Sequence, residues 1–150
     1  MIISLIKPLT FIITGLDPAL PLFNLAMPGS RISNEDAEYV ELFHTNAGIL
    51  GVINPLGDAD FYPSGGAIQI GCNLPISSCS HQRSWQLFAE SITTSVGFYG
   101  KKCKSQVETI LEDCTGDKAE MCGTKDKIGI TGSFYVETNK KAPFAKGLPQ

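Results

Sequence analysis

The sequence predicts an α/β fold, and three observations carry that expectation. Residues 10–15 (TFIITG) are short, β-branched or aromatic, and apolar on both faces, as a buried parallel strand is. Residues 81–94 (HQRSWQLFAESITT) place Trp85, Phe88 and Ile92 at spacings of three, four and seven, which mark one face of a helix. Residues 131–138 (TGSFYVET) read as a late strand. The 150 residues make one domain or a piece of one. Hydrophobic residues are 43% and charged residues 18%, a globular rather than a disordered composition. Twelve Lys and Arg against fifteen Asp and Glu leave −3, with no basic stripe to neutralise phosphates, so no nucleic-acid partner is expected. Five Cys point to an oxidising compartment, and an odd count leaves one thiol unpaired within the chain.

Residues 1–16 are too short an apolar run to span a bilayer, and Lys7-Pro8 interrupts it. No transmembrane segment and no clear signal peptide are expected. A lone parallel strand at 10–15 needs neighbours, so part of the sheet is expected upstream. Pro18 should hold Asp17 out of the right-handed helical region and in an extended conformation. That leaves a carboxylate at the end of a buried strand, where open α/β sheets place functional groups. Residues 24–35 read as loop around the turn signal Pro28-Gly29-Ser30, and 37–45 (AEYVELFHT) as a second strand. Residues 46–71, dense in Gly and Pro, read as irregular connections around short strands, with 67–70 extended. Ser80 is the expected N-cap of the Trp85 helix. Ser105 and Glu108 fit a capping box for a second, short helix. The tail, 139–150, is polar. His44 is expected as a satisfied core residue, and Asp58 and Asp60 as loop residues.

Five strings carry a resemblance: ITGLDPA (13–19), LFHTNAG (42–48), GDADFYPSGG (57–66), CSHQRS (79–84) and GSFYVETN (132–139). In this order they resemble the pancreatic-lipase-like family, over about Thr10 to Ala145, with the insect-type secreted lipases and phospholipases nearest. The resemblance implies the carboxy-terminal half of an α/β-hydrolase catalytic domain, with a mixed, mostly parallel sheet, flanking helices and disulfide-stapled loops. It implies that Asp17 is the acid and His81 the base of a Ser-His-Asp triad, in the order acid then His that this fold uses. The family nucleophile lies in G-x-S-x-G, and no Ser of this sequence stands in that pattern. The chain alone is therefore expected to be inactive.

The same resemblance implies a Cys72–Cys79 bridge closing the base of a surface lid: Asn73, Leu74, Pro75, Ile76, Ser77 and Ser78. So short a lid resembles the sn-1-specific phospholipase A branch more than the triacylglycerol lipases. The bridge is also a staple, worth roughly 2.5 kcal/mol in the chain-entropy account. Cys103–Cys114 is the next pair implied, leaving Cys122; Cys103–Cys122 with Cys114 free is the alternative. Some family members hold calcium near the strand at 37–45. Here Asp36 matches one ligand but Ser33 stands where a second carboxylate belongs, so neither metal nor other cofactor is expected. The expected protein is extracellular and acts on phospholipid or acylglycerol at a lipid interface. A non-catalytic lipid-binding or yolk-type relative is the alternative. With half a sheet, the isolated chain is expected to expose an unpaired edge and to aggregate or fold marginally.

Overall fold

A computed structural model describes residues 11–23, 25–73, 78–121 and 128–148. Six strands form one sheet, in the order β1-β2-β3-β6-β4-β5. They are β1 (Ile12–Leu16), β2 (Tyr39–Phe43), β3 (Ala59–Pro63), β4 (Tyr99–Cys103), β5 (Lys118–Glu120) and β6 (Gly132–Val136). The first four in spatial order, β1, β2, β3 and β6, run parallel. β4 and β5 are added antiparallel on the far side. Two helices, α1 (Ser78–Thr93) and α2 (Gln106–Leu111), lie in the long connection from β3 to β6. This is the mixed sheet of a partial α/β-hydrolase domain.

β2 and β3 are buried along their whole lengths, as central parallel strands are. Alternation divides their side chains between two cores. Tyr39, Phe43, Ala59 and Phe61 meet Phe134, Val136 and Leu87 on the α1 side. Phe61 stacks on Phe134 with ring centroids 5.0 Å apart, and Phe43 meets Phe88 of α1 edge-on. Val40 and Leu42 face the other way, towards Ile13, Ile32 and Leu56, where loops rather than a helix cover the sheet.

Several expectations need correction. β1 is the edge strand among the described residues, half-buried rather than central. Residues 67–70 are turns and bends; the strand of that Gly-rich region is β3. Asp60 therefore sits inside a strand and not in a loop. Its polarity hid the strand, because the partner that makes its burial tolerable, His44, lies 16 residues earlier. The helix turns Trp85 and Ile92 to solvent, 54% and 61% exposed. Its buried side is Ser80, Arg83, Ser84 and Leu87. Small hydroxyls allow a close approach there that a hydropathy pattern does not register. Ser80 is not the N-cap but a buried residue of the first turn.

Other local expectations hold. Ser105 caps α2, its hydroxyl accepting from Glu108 N at 3.2 Å, while the Glu108 carboxylate reaches back to Lys104 N at 2.8 Å. Disulfides join Cys72 to Cys79 and Cys103 to Cys114, which removes the Cys103–Cys122 alternative. Cys122 itself lies outside the described residues.

The polar tail packs rather than trails. Phe144 and Ala145 are buried, and their N–H groups donate to the Glu90 carboxylate of α1 at 2.8 and 2.7 Å. Arg83 lies over the Phe144 ring, 4.3 Å from its centroid. Glu90→Ala should lower unfolding free energy by about 1–3 kcal/mol, because two partly buried donors lose their acceptor. Glu90→Gln, which keeps one acceptor oxygen, should lose less. Urea denaturation of both variants checks the order; equal stability of the three proteins would contradict it.

Candidate active site

The site is built at the carboxyl end of β1. Pro18 does exclude the right-handed region for Asp17, but the residue takes the left-handed one, φ 51°, rather than the expected extended form. Asp is one of the few non-glycine residues that adopts it readily. The turn begins as Asp17 N donates to Phe43 O at 2.7 Å. It brings the carboxylate to the start of the loop after β2. There Asp17 Oδ1 accepts from Thr45 N and Asn46 N, both at 2.8 Å. The side chain is fully buried.

The other oxygen, Oδ2, accepts from His81 Nδ1 at 2.6 Å. A carboxylate held by backbone donors can only accept here, so Nδ1 carries the proton. Nε2 has no protein partner among the described residues, and the ring is 41% exposed. One nitrogen is therefore oriented from within and the other is open. That is what a general base needs: a defined tautomer with a free lone pair facing outward.

Local packing explains how tightly this is held. Gly51 threads between Ala19 and Ala47 by isolated strand bridges. A Cβ on Gly51 would collide with the Asp17 carboxylate. His81 stands in the first turn of α1, whose position is set from below. Ser80 Oγ accepts from Gln69 N at 3.0 Å, and Ser84 Oγ donates to His81 O at 2.7 Å.

His44 is a satisfied core residue, as expected. Its Nδ1 meets Val52 O and its Nε2 meets Asp60 Oδ1, both at 2.8 Å, and it is fully buried. It stacks on Tyr62 with centroids 4.3 Å apart. Burial, with Asp60 adding to it, pushes the Tyr62 phenol well above its usual range. That phenol donates to Ile53 O at 3.0 Å. Asp58 accepts from Val40 N at 2.8 Å and pins β2.

Asp36 accepts from Ser33 N at 2.7 Å, closing a turn. Among the described residues no group of three His, Cys, Asp or Glu is arranged to hold a metal ion. No helix among them is long and apolar enough to cross a membrane. Of the lid segment, Asn73 and Ser78 are described; Leu74, Pro75, Ile76 and Ser77 lie outside the described residues. The residue that sequence reasoning missed is Gln69, buried between Thr45, Pro63 and Ser80. No motif signal marked it.

A mixed sheet whose edge strand delivers a buried carboxylate to an open imidazole is a geometry that can hold and move a proton. The family model for Lipase matches residues 9–144, and the chain belongs to that family. Lipase member H-B of Xenopus laevis is 43% identical over 112 residues, 71% of this chain and 24% of its own length. Phospholipase A1 of Vespa crabro is 39% identical over 135 residues, 88% of this chain and 44% of that protein. Phospholipase A1 4 of Polistes dominula is 38% identical over the same length, 42% of its own. The chain thus spans less than half the length of these curated relatives.

Gly51→Ala should force the Asp17 carboxylate aside. The expected result is a loss of about 1–3 kcal/mol in urea denaturation, the usual cost of overpacking. The His81 ring should lose its fixed tautomer in nitrogen-detected NMR at the same time. A Gly51→Ala protein of unchanged stability with an unchanged His81 signal would contradict this geometry.

Proposed function

We propose that this chain supplies the acid and base of a secreted carboxylic ester hydrolase acting on phospholipid or acylglycerol at a lipid interface. The observation that carries the proposal is the 2.6 Å contact between His81 Nδ1 and a fully buried Asp17. In this reading His81 Nε2 takes the proton of a serine hydroxyl as that oxygen attacks the ester carbonyl. Asp17 stabilises the imidazolium that results, and His81 returns the proton to the leaving alcohol oxygen. Water then repeats the sequence on the acyl-serine.

The serine is not among these residues in the G-x-S-x-G setting. The 150-residue chain by itself should accordingly be inactive. The names of the wasp relatives support a phospholipid ester as the first substrate to try. The short span between Cys72 and Cys79 agrees, since six intervening residues cover little of a wide apolar cleft. The two disulfides fit an extracellular location.

The test has two arms. The chain alone should not turn over a short-chain ester or a phospholipid vesicle. Joined to an upstream segment that carries G-x-S-x-G, it should turn over, and His81→Ala should lower kcat by about three orders of magnitude or more. Turnover by the chain alone that His81→Ala abolishes would refute the missing-nucleophile reading. Lipid binding without turnover in the joined protein would favour the non-catalytic alternative.

A further inference from the structure

Gln69 lies in a turn-rich stretch between β3 and α1, yet it is 1% exposed. A long polar side chain is rarely so buried unless its hydrogen bonds matter. Each of its backbone polar groups and its amide nitrogen is used. The amide Nε2 donates to Thr45 O at 3.1 Å and to Pro63 O at 2.7 Å. Two facing carbonyls fix which end of the amide is nitrogen. Its backbone N–H donates to Ser80 Oγ at 3.0 Å, and its carbonyl accepts from Cys72 N at 2.9 Å.

The partners give this arrangement its meaning. Thr45 is the residue whose N–H holds Asp17 Oδ1. Ser80 immediately precedes His81. Pro63 ends β3. One side chain and its own backbone therefore bridge the anchor of the carboxylate to the helix turn that carries the imidazole. The 2.6 Å contact depends on the spacing between the loop after β2 and the first turn of α1. Phe43 and Phe88 pack the helix on the sheet further along, while Gln69 hydrogen-bonds both elements beside the pair itself. A small change in that spacing separates the pair, because hydrogen bonds weaken steeply with distance and angle.

We propose that Gln69 is a positioning residue that sets the distance between Asp17 and His81. It hydrogen-bonds neither the ring nor the carboxylate. The role in catalysis rests on the acyl-transfer reading above, but the geometric role does not, and the two are separable by reading the pair without an ester assay.

The experiment is nitrogen- and proton-detected NMR on the full 150-residue chain with labelled histidine. The low-field Nδ1–H resonance of His81 reports the pair, and the His44 ring reports the fold in the same spectrum. Two variants are used. Gln69→Met keeps length and removes both amide donations; Ser80→Ala removes the acceptor on α1 and touches no strand. In both, the His81 proton should exchange with solvent about tenfold faster or more, as locally opened sites do, while His44 keeps its signals. Gln69→Glu, which sets an acceptor against two carbonyls, should not rescue. If Gln69→Met collapses both rings, Ser80→Ala decides alone. A Ser80→Ala protein with a wild-type His81 resonance overturns the proposal. So does a folded Gln69→Met protein in which the His81 proton exchanges at the wild-type rate.

Discussion

A carboxylate removed from water is costly unless nearly every lone pair finds a donor. Asp17 meets that condition with two backbone N–H groups and one imidazole N–H. The rest of the site follows from it. The backbone donors come from the loop directly after β2, so β2 must end beside β1. The parallel register Leu16 to Phe43 places it there. The third donor comes from the first turn of α1, the helix that follows β3 in the chain and packs on the face of β1 and β2. Among the described residues no other group hydrogen-bonds the His81 ring.

The contrast with the second histidine shows how environment divides two similar pairs. His44 and Asp60 are 2.8 Å apart, nearly as close as His81 and Asp17, but both are buried, both ring nitrogens are occupied, and Tyr62 closes one face. That pair joins β3 to the turn after β2 and has no atom left for chemistry. His81 keeps one nitrogen open on a half-exposed ring. Partner count and exposure separate a structural His–Asp pair from one that can move a proton, whereas distance does not.

How much of this is legible in the residues depends on whether the cause is local. The strand at β1 and the cap of α2 are short-range effects, and both read correctly to within a residue or two. The pairing of Asp17 with His81 spans 64 residues, and for it, as for the two disulfide partners, only the resemblance of whole motifs brought the residues together. β3 stayed hidden because Asp60 and Pro63 argue against a strand when taken alone; its support comes from His44 and from the ladder to β6. The helix was found but its face was not. Trp85 and Ile92 look like core residues, while Ser80 and Ser84 are the ones packed inward. The docking of the tail was not legible for the same reason, since it depends on Glu90 and Arg83, more than fifty residues away.

Amide hydrogen exchange at Thr45 and Asn46 tests the anchored carboxylate most directly. If Asp17 accepts both N–H groups, these loop amides should exchange as slowly as the buried ladder amides of β2, and Asp17→Ala should release the two together. Exchange of Thr45 and Asn46 at the rate of an open surface loop in the unmodified chain would contradict the account.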